Sequence, residues 1–144
     1  MGEINFFAEE IVLPLSDKDM ARRWIQRVVS GEQQEIGELT FIFCSDEYLL
    51  RINQEYLNHD TYTDIITFDL RDVEGTGPLI GEIYISTDRV KDNANTYGVG
   101  FNRELHRVMI HGVWHLMGQG DKTEEDQRTM RAKENHSLSL LMRL

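Results

Sequence analysis

FNRELHRVMIHGVWHLMGQGD, residues 101–121, is the stretch of this chain that says most about its fold. Apolar residues recur in it three and four positions apart, which is the spacing of one face of an α-helix. The candidate buried positions are Leu105, Val108, Met109 and Leu116. The pattern predicts a long helix over residues 101–118, packed on the rest of the domain along this face and ending at a glycine.

The end of this helix carries two histidines in the spacing of a metal site. His111 and His115 differ in direction by only ~40°, because each residue turns the helix by ~100°, so both imidazoles can reach one ion. Gly118 and Gly120 allow the chain to turn back after the helix and bring Asp121 toward the histidines. Three protein ligands leave one position for water, as in catalytic zinc sites. We therefore expect one divalent ion, Zn²⁺, bound by His111, His115 and Asp121.

Other interpretations of the histidine pair remain open at this point. Such pairs also arise by chance in helices, and a closed structural site would need a fourth ligand, for which Cys44 in the apolar run LTFIFC is a poor candidate. Two histidines and an aspartate also describe the facial triad of non-haem iron oxygenases, but the chain has too few strands for the barrel those sites favour. Gly112 occupies the position of the metallopeptidase glutamate, which disfavours peptidase chemistry.

The remainder of the chain alternates between strand-like and helix-like segments. The predicted strands are INFFAEEIVL, GELTFIFCS, IITFDL and LIGEIYIS, and the other predicted helices are DKDMARRWIQRVVSGE, SDEYLLRINQEYL, STDRVKDNANTYG and TEEDQRTMRAKENHSLSLLMRL. Ser16 or Asp17 and Thr123 are suitable N-caps, and Gly98 is a suitable helix end. The order β-α-β-α-β-β-α-α-α predicts one α/β (α+β) domain over residues 1–144. It has one small mixed β-sheet packed against about five helices, with the metal site at the end of a long helix.

Composition narrows the possible locations and partners. No apolar run approaches the roughly 18 residues that span a membrane, and the acidic start of the chain does not resemble a signal peptide. With a single cysteine, Cys44, the chain suits a reducing compartment. We expect a cytoplasmic protein without a membrane partner. The net charge of −10 means that binding to nucleic acid would require a local basic patch.

Several segments resemble one protein family. HGVWHLMGQGD resembles the H-G-x-x-H-L-x-G-x-x-H signature of the YbeY family of metal-dependent endoribonucleases, which take part in ribosomal RNA maturation. INQEYLNHDTYTDIITFDL is similar to the family's N-x-x-Y-R-x-x-D-x-x-T-D-V-L-S-F segment, and LIGEIYIS followed by NAN is similar to its L-G-D-I-x-I-S strand and the next helix. FNRELHRVMIHG resembles the E-L stretch that leads into the histidine helix. These segments cover most of residues 53–122 in the family's order, which makes the resemblance specific.

The resemblance implies an activity and its partners. It implies a single-strand-specific, zinc-dependent endoribonuclease that acts on ribosomal RNA precursors in maturation and ribosome quality control, with the ribosome or ribosomal proteins as partners. Because Gly112 cannot act as a base, the candidate catalytic or ligand-orienting residues are Glu104, two helical turns before His111, and Asp64 in the TYTD turn. An ordinary surface glutamate is the alternative interpretation of Glu104.

Two positions depart from the family pattern. Asp121 stands where the family usually has a third histidine, and a carboxylate is an acceptable zinc ligand that adds one negative charge. Leu57 stands where the family commonly has an arginine associated with catalysis, so another group must bind phosphate if the activity is kept. Without such a group, the chain would instead be a metal-stabilised, ribosome-associated binding module with little or no nuclease activity.

Basic residues near the histidine motif are candidates for the missing patch. They are Arg103, Arg107, Lys122, Arg128, Arg131 and Lys133. Glu124, Glu125 and Asp126 lie among them and weaken the local positive charge. The remaining histidines, His59, His106 and His136, are expected to lie outside the site, with His106 and His136 at the surface.

Overall fold

A computed structural model describes residues 2–144 of the chain. Its elements are β1 (Glu3–Glu9), α1 (Lys18–Gly31), β2 (Ile36–Cys44), α2 (Asp46–Leu57), β3 (Ile65–Asp69), β4 (Leu79–Ser86), α3 (Thr87–Tyr97), α4 (Phe101–Leu116) and α5 (Glu124–Leu141). This order matches the predicted one. The described residues contain no helix that is long and apolar enough to cross a membrane.

The four strands form one mixed sheet in the order β1-β2-β4-β3. β1 with β2 and β2 with β4 are parallel pairs, whereas β3 runs antiparallel to β4 at the edge of the sheet. A parallel pair needs a crossover connection, and α1 and α2 lie in the two crossovers between β1, β2 and β4. The expected fold class, a single α/β domain with a small mixed sheet and five helices, is confirmed.

The core lies on both faces of the sheet because side chains alternate along each strand. Phe41 and Phe43 of β2 point into the main cluster with residues of α1, α4 and α5. Cys44 and Ile66 point to the other face, where Leu49 of α2 covers them. The main cluster is the larger one, and it supports the helix that carries the histidines.

α4 crosses the sheet closely at Gly112. A Cβ atom at this position would lie 2.9 Å from Ile65 Cδ1 of β3 and 2.9 Å from Ile83 Cγ2 of β4. Such distances are shorter than van der Waals contact, so any larger side chain would push the helix away from the sheet. The absence of the peptidase glutamate therefore has a packing cause as well as a chemical consequence.

Two tryptophans connect α5 to the rest of the core through one serine. Trp24 of α1 donates a hydrogen bond from Nε1 to the carbonyl oxygen of Ser137, at 2.7 Å. Trp114 of α4 donates from Nε1 to Ser137 Oγ, at 2.9 Å. Buried indole N–H groups need acceptors, and these two bonds fix α5 against both helices.

Helices begin where the sequence predicts when a capping side chain marks their first turn. Asp17, and not Ser16, caps α1 by accepting a hydrogen bond from Met20 N, and Thr123 accepts from Asp126 N at the start of α5. Gly98 ends α3 in the left-handed conformation with φ 67°. α4 ends at Leu116, two residues before the predicted end, and the first strand ends at Glu9 rather than Leu13.

Candidate metal centre

Asp121 lies against both histidines of α4. Its Oδ2 is 3.2 Å from His111 Nε2, and its Oδ1 is 3.3 Å from His115 Nε2. One ligand atom from each residue can be chosen so that all three lie within 4.8 Å of one another. The structure thus brings together the three residues that the sequence predicts as ligands, with one carboxylate oxygen facing each imidazole.

The turn after α4 positions Asp121. Gly118 adopts φ 102°, a conformation that costs glycine little and other residues much more. Gln119 N donates to the carbonyl oxygen of Trp114 at 3.0 Å, which closes the end of the helix. The chain then reverses, and Asp121 returns to the histidine side before α5 begins.

Glu134 of α5 holds His111 from its other side. Its Oε2 is 2.7 Å from His111 Nδ1, and the residue is only 5% exposed. A carboxylate at Nδ1 keeps the proton on that nitrogen and leaves Nε2 free as a ligand, which is the usual arrangement around metal-bound histidines. Glu134 therefore sets both the tautomer and the direction of His111.

Glu134 is not among the site residues predicted from the sequence, although its position on α5 carries a signal. Met130, Glu134 and Leu138 recur four residues apart and form the buried face of α5 with Ser137. A glutamate on an otherwise apolar helix face needs a partner inside the protein. That rule would have marked Glu134 as a candidate site residue.

Arg107 supplies the counter-charge for Glu134. Its Nη1 donates to Glu134 Oε1 at 3.0 Å, and its Nη2 donates to Asn135 Oδ1 at 2.8 Å. Arg107 is buried, so these bonds occupy a guanidinium that the sequence had suggested for an exposed basic patch. Arg107 instead stabilises the site by holding Glu134 in place.

The surroundings of His111 act on its pKa in opposite directions. Burial lowers the pKa, but the hydrogen bond with Glu134 and the negative charges of Glu134, Asp121 and Asp64 outweigh burial, so the pKa is raised overall. The same negative charges that favour a proton on His111 also favour a bound cation. The electrostatics of the pocket thus suit a positively charged ligand.

The three residues line an open cleft with a volume of about 600 Å³. Its polar and charged lining comprises Thr63, Asp64, Thr67, Asn93, Tyr97, Glu104, Arg107, His111, His115, Asp121, Gln127, Arg131 and Glu134. These residues come from the loop before β3, from β3, from α3, α4 and α5, and from the turn after α4. Both candidate catalytic residues, Glu104 and Asp64, are among them.

Glu104 is a buried residue of this cleft, and its interpretation as a surface glutamate is wrong. It is 5% exposed, because α4 packs between α3 and α5 at this point. Burial raises the pKa of Glu104, the charge of Arg107 lowers it in part, and Asp64 raises it further. A carboxyl whose pKa moves toward neutrality is suited to exchange protons with a substrate or water.

Asp64 lies at the entrance to β3 and is held by α3. Asn93 Nδ2 donates to Asp64 Oδ2 at 3.1 Å, and the backbone carbonyl of Asp64 accepts from Ser86 N at 2.9 Å. The residue is half-buried and faces the cleft. Its place among the lining residues suits a role in orienting a ligand.

The other histidines and the cysteine lie outside the cleft. His106 is half-buried rather than fully exposed as predicted, because its ring packs edge-on against Trp24 at 5.4 Å between centroids, and burial lowers its pKa. His59 and His136 are exposed. Cys44 is fully buried among apolar side chains, and burial raises the pKa of its thiol to about 12, which keeps it protonated and unsuited to bind metal.

Leu57 also does not line the cleft. It is the last residue of α2 and is partly exposed. The position where the family commonly has arginine therefore contributes no charge here, and the cleft lining contains only two cationic side chains, Arg107 and Arg131, among the described residues. Arg103, Lys122, Arg128 and Lys133 do not line it.

The donor set is chemically suited to a divalent transition metal. Two imidazole nitrogens and one carboxylate oxygen are ligands that zinc accepts, and a hydrogen-bonded carboxylate behind one histidine is a common support for such ligands. The polar cleft next to the ligands leaves room for water and substrate. The residues therefore fit an open, catalytic type of centre better than a closed structural one.

Comparison with known proteins gives consistent matches along nearly the whole chain. A family model described as Endoribonuclease YbeY matches residues 4–142. The chain is similar to the endoribonuclease YbeY of Christiangramia forsetii, with 50% identity over 139 residues that span 96% of this chain and 94% of the relative. The protein of the same name from Cytophaga hutchinsonii is 49% identical over 137 residues, 95% of this chain and 94% of the relative.

A solved structure supports the fold independently. The solution structure of TM1509 from Thermotoga maritima matches with a TM-score of 0.67 and 24% sequence identity, covering 96% of this chain and 88% of that one. At this identity the match bears on the arrangement of strands and helices. It confirms the single α/β domain described above.

Proposed function

Since this chain belongs to the YbeY family of endoribonucleases, we propose that it hydrolyses phosphodiester bonds of single-stranded RNA. In this proposal residues 1–144 act as one metal-dependent hydrolase domain on ribosomal RNA precursors, in ribosomal RNA maturation and ribosome quality control. The observation that carries the proposal is the group of His111, His115 and Asp121 within an open polar cleft.

The proposed cofactor is one divalent ion, with Zn²⁺ expected from the ligand types. When bound, such an ion would polarise a phosphoryl oxygen and lower the pKa of bound water toward ~7. His111 and His115 would hold it through their Nε2 atoms, and Asp121 would hold it through its carboxylate. Asp121 in place of a family histidine adds a negative charge, which strengthens the attraction of the site for a cation.

Glu134 and Arg107 keep the ligands in place. Glu134 fixes the ring of His111, and the buried ion pair with Arg107 fixes Glu134. Because the supporting groups are on α4 and α5, packing of these helices sets the position of His111 before any substrate binds. Arg107 has a positioning role in this arrangement.

Glu104 is our choice for the residue that accepts the proton of the attacking water at its carboxylate. It lines the cleft, it is on the same helix as the histidines, and burial raises its pKa. General bases work best when their pKa is near the working pH. Asp64, held by Asn93, is assigned the lesser task of orienting water or substrate.

The cleft suits an unpaired RNA strand. Tyr97 lines it, at the end of α3, and its side chain is 60% exposed. An exposed aromatic ring offers a stacking surface to a base that is free of its partner, which is how proteins commonly bind single-stranded RNA. A base within a duplex is unable to stack in this way.

Family membership disfavours the binding-module alternative, because the relatives are named as endoribonucleases. A buried glutamate with a raised pKa in the same cleft as the ligands is also a feature of catalysis, which metal-stabilised binding alone does not require. The proposed location is the cytoplasm, where a free thiol such as Cys44 persists. The proposed partners are the ribosome or its proteins.

Metal content and RNA cleavage together test this function. We expect the purified protein to contain about one metal equivalent per chain by elemental analysis and to cleave a single-stranded RNA. His111→Ala and Asp121→Ala should lose both, whereas His136→Ala, a change at an exposed histidine of α5, should keep both. A metal-free wild type, or variants that cleave as fast as the wild type, would refute the proposal.

A further inference from the structure

The cleft has a surplus of negative charge that an RNA substrate must overcome. Four carboxylates line it, those of Asp64, Glu104, Asp121 and Glu134, against two guanidinium groups, those of Arg107 and Arg131. The whole chain carries a further excess of acidic residues. The proposed divalent ion would add two positive charges and only balance this surplus, so an RNA phosphate entering this cleft gains further from any cationic side chain that still has free donors.

Arg107 has few free hydrogen-bond donors to offer a substrate. Two of its nitrogens donate to Glu134 and Asn135, and the side chain is buried. If Arg107 bound the substrate instead, its buried ion pair with Glu134 would break and Glu134 would no longer orient His111. The free energy lost in breaking a buried ion pair is much larger than the free energy gained from an exposed contact.

Arg131 is placed differently, although it lies on the same helix as Glu134. Its side chain is 57% exposed, and its Nη1 is 3.9 Å from Glu134 Oε1, beyond hydrogen-bond distance. Among residues 2–144 this is its sole ion-pair contact, and no acceptor occupies its guanidinium donors. Five N–H groups in a planar fork thus face a cleft that contains the metal ligands.

We propose that Arg131 binds a phosphate of the RNA substrate in this cleft and supplies the charge that neither Leu57 nor Arg107 provides. Guanidinium binds phosphate through two parallel hydrogen bonds, a geometry that lysine does not reproduce. Glu134 at 3.9 Å keeps the side chain directed toward the cleft without consuming its donors. The inference rests on the proposed ribonuclease function and names one substrate contact of that site.

Kinetics on a short single-stranded RNA oligonucleotide test this contact. We expect Arg131→Ala in the metal-loaded protein to lower kcat/KM about 10- to 100-fold, the range for a lost hydrogen bond to a charged group. Arg131→Lys should recover part of the loss, because it restores charge but not the paired hydrogen bonds. Arg128→Ala removes an exposed arginine of the same helix that does not line the cleft, and it should change kcat/KM less than twofold.

Salt dependence and metal content separate a phosphate contact from a structural effect. The slope of log affinity against log salt, measured with a DNA oligonucleotide as a non-cleavable probe, should decrease in magnitude by about 0.7 in Arg131→Ala. The metal content should remain at the wild-type level. An unchanged slope, loss of metal, or an equal loss of kcat/KM in Arg128→Ala would overturn the proposal. If the wild type itself does not cleave RNA, the ribonuclease function fails, whereas a fully active Arg131→Ala refutes the phosphate contact alone.

Discussion

At the scale of single residues, the behaviour of His111 depends on Glu134, a side chain that does not belong to the ligand set. Glu134 accepts hydrogen bonds from both His111 and Arg107 while it is almost fully buried. A neutral amide at this position keeps the shape of the side chain but loses the charge that both partners require. The residue thus links the core of α5 to the ligand geometry.

We expect Glu134→Gln to weaken zinc binding about 10- to 100-fold, since loss of a carboxylate behind a ligand histidine usually has that effect. Competition with a chromophoric chelator measures the affinity, and circular dichroism checks that the variant is folded. Glu125→Gln, an exposed change on the same helix, is the control and should match the wild type. A folded Glu134→Gln protein with wild-type affinity would show that His111 needs no such support.

Glu104 gives the second prediction at this scale. If it accepts the proton of the attacking water, Glu104→Gln should lower kcat by roughly 10²- to 10⁴-fold and leave the metal content and KM nearly unchanged. Cleavage rates at saturating RNA, with elemental analysis of the same samples, measure this. Full activity in Glu104→Gln would assign the proton to another group, and Asp64→Asn is the variant to examine next.

At the scale of elements, α4 determines the site because it carries both histidines and packs on the sheet through Gly112. The local contacts explain why this position is glycine even though glycine weakens a helix by about 1 kcal/mol relative to alanine. The neighbouring methyl groups of Ile65 and Ile83 belong to two paired strands, so they have little freedom to move.

We therefore expect Gly112→Ala to destabilise the protein by about 1–3 kcal/mol in spite of the gain in helix propensity. Gly31→Ala is a matched control, because a Cβ atom there meets nothing within 4 Å at the end of another helix, and it should be neutral or slightly stabilising. Urea unfolding measures both. A Gly112→Ala protein as stable as Gly31→Ala would mean that α4 can move away from the sheet at little cost.

Local sequence patterns predict the helices and strands because these elements depend mainly on residues that are near one another in the sequence. Apolar periodicity and capping residues predict all nine helices and strands found in residues 2–144, with the cap at Thr123 and, as one of two candidates, the cap at Asp17. These patterns do not predict the close approach of α4 to the sheet at Gly112, because that contact depends on which strands lie under α4. The pairing of Glu134 with His111 spans 23 residues and two helices, and no spacing rule connects them.

At the scale of the whole molecule, a chain with an excess of acidic residues contains a cleft for which we propose RNA, an anionic polymer, as substrate. The net charge of −10 predicts weak non-specific attraction to RNA. Composition gives the overall charge but cannot show that Arg107 is buried while Arg131 is exposed beside it. Whether a cation is available to substrate depends on tertiary contacts, which composition does not contain.

Metal binding should stabilise the entire fold, because the site joins α4, the turn after it and, through Glu134, α5. Zinc at 100 times its Kd should add about 2.7 kcal/mol, which for a domain of this size raises Tm by roughly 5–10 °C. Calorimetry of the protein with zinc and with a chelator measures the shift. Asp121→Ala should show a much smaller shift, and an equal shift in this variant would place zinc elsewhere.

The central claim is that one metal ion at His111, His115 and Asp121 makes this chain an endoribonuclease. The most direct measurement is cleavage of a single-stranded RNA oligonucleotide by protein that has been stripped with a chelator and titrated with zinc. We predict no cleavage by the stripped protein and a rate that rises to a plateau at one zinc per chain. Undiminished cleavage by the stripped protein, or no cleavage at any zinc level by the folded protein, would contradict the account.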